Sequence, residues 1–162
     1  MTTYTVYHGT NEVFDAPDLA KSRNFRDFGK GFYTTTIVDQ ALEWGMNMLH
    51  RFGGSDAYLY EFIFDLTDEL TVKTFQELSI DWLEMIKLNR IKGGIQHDYD
   101  VVIGPVANDN TFRAITLYLE GDYTAEQVIE KLRWHKPNDQ ISVHTPKALS
   151  KLTLVRRDCI GE

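Results

Sequence analysis

The chain has 162 residues, of which 43% are hydrophobic and 25% charged, as is typical of one soluble globular domain over residues 1–162. No stretch approaches the roughly 18 consecutive apolar residues of a membrane span, so a membrane protein is excluded and a cytoplasmic location is expected. Seventeen basic and 24 acidic residues give a net charge of −7, which disfavours nucleic acid as a partner.

The first half of the chain alternates between strand-like and helix-like patterns. Tyr4–His8 alternates polar and apolar residues, as in a half-buried strand. Apolar residues at helical spacing predict a helix over residues 40–52, with Asp39 as its N-cap and Gly53-Gly54 after its end. Two further strands are predicted, at Gly31–Thr36 and Ala57–Asp65.

The second half mixes helices and strands irregularly. Thr124-x-x-Gln127 has the form of a capping box, and Asn110 is the expected cap of the helix before it. The predicted helices are Trp82–Arg90, 111–120 and 124 to about 134. The predicted strands are Tyr99–Val106, Gln140–Thr145 and Leu152–Arg156. This order fits an α+β fold better than a doubly wound sheet.

Several classes of enzyme are disfavoured by the motifs that the sequence lacks. It has no HExxH, no CxxC and no paired-histidine spacing, so no metal site is expected. It has no phosphate-binding loop of the kinase or Rossmann type, because Gly29-Lys30-Gly31 precedes a strand and not a helix. None of its serines has the context of a nucleophile elbow, which disfavours a serine hydrolase.

Three separated segments together resemble a known enzyme family. They are Tyr7-His8-Gly9-Thr10, Asp27-Phe28-Gly29-Lys30-Gly31-Phe32-Tyr33 and Asp139-Gln140-Ile141-Ser142-Val143-His144. In this order they resemble the His-Tyr-Glu branch of the ADP-ribosyltransferases, which is related to the catalytic domains of poly(ADP-ribose) polymerases. The chain also looks like an uncharacterised bacterial family grouped with those enzymes. The resemblance implies two small, mostly antiparallel sheets that form an NAD cleft, with helices at the periphery.

The resemblance assigns NAD contacts to residues of the first two segments. His8 would hydrogen-bond a ribose hydroxyl, and the backbone of Gly9 would hold the nicotinamide carboxamide. Tyr33 and Trp44 would stack on the two faces of the nicotinamide ring. Thr10, Gly31 and Phe32 are expected to contribute to the same site.

Two further contacts are less specific. Arg23 and Arg26 precede the glycine motif and are placed either to reach NAD phosphates or to solvate a surface loop, with Arg23 favoured for NAD binding. Asp109 follows a predicted buried strand and is expected at the pocket rim, although a turn and helix cap explains it as well.

The third segment departs from the family at the catalytic glutamate, which corresponds here to Gln140. Together with His8 and Tyr33, Gln140 completes the expected catalytic set, but an amide cannot act as a base. Cleavage of the nicotinamide–ribose bond passes through a cationic sugar, which an amide carbonyl stabilises less than a carboxylate does. Proton removal from the acceptor would fall to Asp139, to His144 or to a carboxylate of the target itself.

The resemblance therefore implies a mono-ADP-ribosyltransferase that uses NAD as its substrate and no metal. The expected acceptor is a macromolecule, protein rather than nucleic acid, and Trp134–Asn138 occupies the place of the loop that recognises it. A bacterial toxin or effector role fits, with an antitoxin or regulator as a further partner. The alternatives are an inactive module that binds NAD or ADP-ribose, and an NAD glycohydrolase.

Overall fold

The computed structural model of the chain describes residues 2–106, 109–132 and 138–160, with only the backbone described at 109–112. The strands are β1 (Thr2–Thr10), β2 (Phe32–Thr34), β3 (Ala57–Leu66), β4 (Val72–Thr74), β5 (Val101–Gly104), β6 (Gln140–Val143) and β7 (Leu152–Ile160). The helices are α1 (Val38–Phe52), α2 (Ile80–Lys92), α3 (Asp109–Leu119), α4 (Ala125–Leu132) and the short α5 (Pro146–Leu149).

These elements form two sheets, so the fold is mixed α+β as predicted. The first sheet has the order β1-β3-β7 and is antiparallel throughout. The second sheet has the order β2-β6-β5-β4, in which β4 runs parallel to β5 and the other pairs are antiparallel. The parallel pair is joined by α2, as parallel strands require a crossover.

A core of large side chains lies between the sheets. From the first sheet it includes Val6, Tyr60, Phe62 and Phe64, and from the second Phe32, Val101, Ile141 and Val143. A second core, which contains Tyr33 and Val102 of the second sheet together with Trp82, Ile115 and Val128, joins that sheet to α2, α3 and α4. The opposite faces of β2 thus face different cores.

Helix boundaries follow local hydrogen bonds. Ser79 accepts a hydrogen bond from the Trp82 N–H at the start of α2, which is a standard N-cap. The predicted capping box is confirmed, since the N–H of Gln127 donates to Thr124 Oγ1 and the N–H of Thr124 donates to Gln127 Oε1. The prediction that Asp39 caps α1 is wrong, because Ile37 is the N-cap and Asp39 lies in the first turn.

Most predicted elements are confirmed with shifted ends. β7 extends four residues beyond the predicted Arg156, and α3 begins at Asp109, so Asn110 lies inside the helix and not at its cap. The sequence did not predict β4, which has three residues and is too short for its alternation to be read. None of the helices in the described ranges combines the length and the apolar character needed to cross a bilayer.

Helix α1 packs closely on β1, and glycine makes this possible. A Cβ added to Gly9 would lie 1.7 Å from the backbone oxygen of Ala41 and 2.7 Å from the nitrogen of Gly45. A Cβ added to Gly45 would lie 2.8 Å from Ile160 Cδ1. The two glycines therefore seat the helix backbone on the outer face of the first sheet, next to the end of β1.

Candidate functional site

The backbones of the two sheets meet where β1 passes β2. Tyr7 and Thr35 exchange both backbone hydrogen bonds there, with N–O distances of 2.8 and 2.9 Å. In an antiparallel pair the next rung would join Gly9 to Tyr33, because backbone groups point to the same side at every second residue. No such rung forms between these two described residues. We call the gap bordered by His8, Gly9 and Tyr33 the notch.

The side chain of His8 replaces the missing rung. Its Nδ1 lies 2.7 Å from the carbonyl oxygen of Tyr33, which can only accept, so Nδ1 carries the proton. Burial lowers the pKa of His8 to about 4, and the positive charge of Arg26 adds to this effect. The ring is therefore neutral near pH 7. Its Nε2 is a hydrogen-bond acceptor that has no partner in the described part of the chain.

The backbone of Gly9 faces the notch. The N–H and C=O of Tyr7 bond to Thr35, so those of Gly9, two residues later, point to the same side of β1. Within residues 2–106, 109–132 and 138–160 neither group has a partner. The space for a side chain at residue 9 is filled by α1, so helix packing alone already requires glycine there.

Tyr33 lies on the other side of the notch and is 3% exposed. Its hydroxyl donates to the carbonyl of Gly29 at 2.6 Å and accepts from the N–H of Phe28 at 3.0 Å. Burial raises the pKa of this phenol, so it remains protonated. The guanidinium carbon of Arg26 lies 4.0 Å from the centroid of its ring. One face of the ring is thus covered by a cation.

The other residues predicted to bind NAD differ in their surroundings. Trp44 is half-buried on α1, next to Gly45, and makes no ring contact with Tyr33, both residues being in the described ranges. Phe32 points to the core between the sheets and stacks under His8, with ring centroids 4.2 Å apart. Thr10 is 5% exposed and accepts a hydrogen bond from the Glu12 N–H.

Gly31 has a structural role in this arrangement. Its N–H donates to Ser22 Oγ at 2.7 Å, and its C=O accepts from the same hydroxyl at 2.8 Å. A Cβ at this position would lie 2.7 Å from His144 Nδ1. Gly31 therefore lets the loop before β2 pass directly over the His144 ring.

Gln140 begins β6 and lies on the same face of the second sheet as Tyr33, because Tyr33 pairs with Ser142 two residues along. It is 2% exposed. Its Nε2 donates to Asp27 Oδ2 at 3.2 Å and to the carbonyl of Pro105 at 3.1 Å. Asp27 also forms an ion pair with Arg90. Both amide protons of Gln140 are thus used, which leaves Oε1 as its remaining acceptor.

The two candidate bases of the third segment are both occupied. Asp139 accepts hydrogen bonds from Thr35 Oγ1 at 2.7 Å and from the Thr36 N–H at 2.9 Å. His144 is 4% exposed, with Nδ1 2.7 Å from the carbonyl of Lys30 and Nε2 2.7 Å from Ser142 Oγ. Burial lowers the pKa of His144 to about 4. The two residues hold the segments on either side of β2, since His144 bonds to the loop before the strand and Asp139 to the residues after it.

The sequence favoured Arg23 over Arg26 at this site, but Arg26 is the one that lies over Tyr33. The guanidinium carbon of Arg23 lies 3.4 Å from the ring centroid of Phe52, a half-exposed residue at the end of α1. Asp109 is the first residue of α3, and its side chain lies outside the described residues. Of the predicted acceptor loop Trp134–Asn138, residues 134–137 also lie outside them, whereas Asn138 Oδ1 accepts from the Val106 N–H at 3.0 Å.

The chain belongs to the family described as Protein of unknown function (DUF3990), which matches residues 4–154. No curated protein and no solved structure gives a match to the chain. Within the described ranges, histidine, cysteine and carboxylate side chains form no group of three or more that could hold a metal ion.

Proposed function

We propose that the chain has an ADP-ribosyltransferase type of fold and transfers one ADP-ribose from NAD to a macromolecular acceptor, with protein favoured. The observation that carries this proposal is the missing rung between β1 and β2. His8 Nδ1 takes the carbonyl of Tyr33, and the peptide groups of Gly9 are left facing the notch. An unpaired N–H and C=O on one residue match a primary amide, which needs one acceptor and one donor.

Nicotinamide carries such an amide on a planar cationic ring. In the proposed complex, its carboxamide bonds to the N–H and C=O of Gly9 and its ring lies against Tyr33. Trp44, which the resemblance assigns to the other face of the ring, is half-buried on α1 next to Gly45. His8 Nε2, an acceptor because Nδ1 is protonated, receives a hydrogen bond from a ribose hydroxyl. These groups together recognise nicotinamide and its ribose.

The reaction breaks the bond between the ribose and the nicotinamide nitrogen. The electron pair of that bond leaves with nicotinamide, which becomes neutral, and the ribose carbon becomes cationic before the acceptor attacks it. Gln140 Oε1 is the acceptor group that the second sheet offers for a ribose hydroxyl, because Asp27 and Pro105 hold its Nε2. Gln140 would then orient the sugar and add a carbonyl dipole, and it would not remove a proton.

The choice of acceptor follows from how the candidate bases of the third segment are held. Asp139 and His144 are both held by structural hydrogen bonds, and Gln140 has no basic form. An acceptor that is already anionic needs no base to become a nucleophile. We therefore favour a carboxylate side chain on a target protein.

One observation favours the inactive alternative, in which the chain only binds NAD or ADP-ribose. Gln140 is almost completely buried, and a carboxylate is missing from the position where the resembled family has its catalytic glutamate. An NAD glycohydrolase would use water in place of the protein acceptor. All three possibilities place the ligand in the notch, and they differ in what becomes of the ribose.

Labelled NAD added to purified protein, with and without cell lysate, tests these possibilities. We expect the label on one discrete lysate protein and free nicotinamide in equal amount. His8→Ala should abolish the labelling, while His50→Ala, which removes an exposed histidine of α1, should leave it intact. Nicotinamide release without labelling would identify a glycohydrolase, and binding without release an inactive module. No NAD binding by the folded protein in calorimetry would overturn the proposal.

A further inference from the structure

Arg26 is a half-buried cation that has no carboxylate partner in the part of the chain that the structure describes. Its guanidinium carbon lies 4.0 Å from the Tyr33 ring centroid, and within the described ranges it forms no ion pair. Its neighbour Asp27 is turned away and pairs with Arg90 on α2. Buried charges are normally paired, so contact with an aromatic face is an unusual way to hold this one.

The groups around Arg26 place it in the notch. The guanidinium lies over the Tyr33 ring, and its charge also acts on His8, on the other side of the notch, and on Arg23. His8 is neutral and Tyr33 is a protonated phenol, so neither offers a negative charge. The ring of Tyr33 is the favourable contact that remains for the cation.

The segment that carries Arg26 is anchored at both ends. Ser22 is bonded to the backbone of Gly31, and Asp27 is bonded to Arg90 and Gln140. Between these anchors Asn24 Oδ1 accepts from the N–H of Phe25 and of Gly94, and Phe25 has φ +58. A bulky residue in this region is strained, as often occurs where a ligand is clamped. The Arg26 side chain can rotate away without breaking either anchor.

We propose that Arg26 occupies, in the free protein, the face of Tyr33 that the nicotinamide ring takes on binding, and that it competes with that ring. This inference rests on the proposed function, because it needs the notch to be the nicotinamide site. A guanidinium and a nicotinamide ring are both planar cations of similar thickness, so both suit one aromatic face. In the free protein this face of Tyr33 is therefore covered, and it becomes accessible when the Arg26 side chain rotates away.

The test uses 1-methylnicotinamide, a planar cation with the carboxamide but without ribose or phosphate. Without phosphates it gives a displaced Arg26 nothing to bind, so the probe reports on the competition alone. Arg26→Ala should bind it about fivefold more tightly than the wild type does, the size of one partly exposed cation–π contact. Arg51→Ala, which removes an exposed arginine near Arg23, should change the affinity by less than about twofold.

If Arg26→Ala and Arg51→Ala increase the affinity for the probe equally, the cause is the change in net charge, and the proposal is wrong. Unchanged affinity in Arg26→Ala would also overturn it. A second readout is the NMR shift of the Arg26 δ protons, which the Tyr33 ring should move upfield in the free protein and release when the probe binds. Normal shifts in the free protein would contradict the proposed contact directly.

The failure of the proposed function has a different signature. If neither the wild type nor Arg26→Ala binds NAD or 1-methylnicotinamide, the notch is not a nicotinamide site and both proposals fall. If NAD binds but Arg26→Ala does not bind 1-methylnicotinamide more tightly than the wild type, only the proposal that Arg26 competes is wrong. A thermal melt of each variant confirms that it is folded before any affinity is compared.

Discussion

The notch and the outer face of the second sheet both carry histidine and other polar groups on strands, yet they differ in how these groups are satisfied. On the second sheet, Gln140, Ser142 and His144 are buried and bonded to neighbouring backbone or side chains. In the notch, His8 Nε2 and the Gly9 peptide groups have no partner among the described residues. Acceptors and donors without partners are the groups that a ligand can use.

The comparison separates two roles that look alike in a sequence. His144, just after β6, and His97, before β5, bond to the carbonyls of Lys30 and Phe28, so they fix the loop that leads into β2 and Tyr33. His8 uses the same kind of bond on Tyr33 itself, but the result is an opening between two strands. A histidine–carbonyl bond therefore builds structure in one region and exposes backbone in the other.

The largest expected effect is at Gly9, where the notch depends on the seating of α1. Gly9→Ala places a Cβ 1.7 Å from the backbone oxygen of Ala41, which only a shift of the helix can relieve. We expect loss of the folded state, measured by urea unfolding with circular dichroism, at a cost of more than about 4 kcal/mol.

Gly121→Ala is the matched control for that change. Gly121 has φ +85 and nothing within 4 Å of an added Cβ, so only backbone strain of about 1 kcal/mol is expected. If the two variants lose equal stability, α1 does not pack on β1 as described and the notch is not formed this way.

Stability should also depend on pH through histidines of both regions. The folded pKa values of His8 and His144 are about 4, below the ordinary 6.5, so the unfolded state binds more protons between these values. Stability is thus complete above pH 6.5 and falls as the pH drops towards 4, by up to about 3 kcal/mol for each histidine.

Urea unfolding at a series of pH values measures how stability changes with pH. A variant then shows how much of this change comes from His144. His144→Gln should remove part of the pH dependence between 6.5 and 4, because its side chain does not titrate there, whereas His8 and His97, whose pKa values burial also lowers, still contribute. A slope that stays the same in this variant would mean that His144 already takes up its proton in the folded state.

Gln140→Glu tests the second-sheet face, because a new buried carboxylate there has no hydrogen-bond donor to replace the ones that Gln140 now supplies. The new carboxylate would face the Asp27 carboxylate and the carbonyl of Pro105, where Gln140 now donates two hydrogen bonds. We expect a loss of about 2–4 kcal/mol near pH 7 that shrinks at acidic pH as the pair becomes protonated.

A double variant provides the test. Asp27→Asn together with Gln140→Glu leaves one carboxylate in the pair and restores a hydrogen-bond donor between the two side chains. It should be more stable than the sum of the single losses by at least about 1 kcal/mol in denaturant unfolding. Strict additivity would show that residues 27 and 140 do not interact.

The sequence predicted the α+β class and most helices and strands, because apolar spacing and glycine or capping residues mark them locally. The resemblance of three motifs to the ADP-ribosyltransferases also assigned His8, Gly9 and Tyr33 to one site, and in the structure these residues border the notch. The sequence did not predict the contact of Arg26 with Tyr33, nor the burial of Gln140 against Asp27. Both depend on how loop 22–31 crosses the second sheet, and no periodicity within the loop encodes that path.

The smallest expected effect comes from substitutions of Tyr33, whose ring and hydroxyl contact different regions. Its ring borders the notch, but its hydroxyl joins the loop through Phe28 and Gly29. Tyr33→Phe keeps the ring and removes the hydroxyl, so it should cost about 1–2 kcal/mol of stability, since the Phe28 N–H loses its acceptor. The ratio of NAD to ADP-ribose affinity, measured by calorimetry, should stay within about twofold of the wild type.

Tyr33→Ala should lower that ratio, because only NAD carries the ring that stacks and stacking contributes about 0.5–1.5 kcal/mol. If Tyr33→Phe lowered the ratio as much as Tyr33→Ala, the hydroxyl and the loop it holds would be recognising nicotinamide, and the ring face would not be.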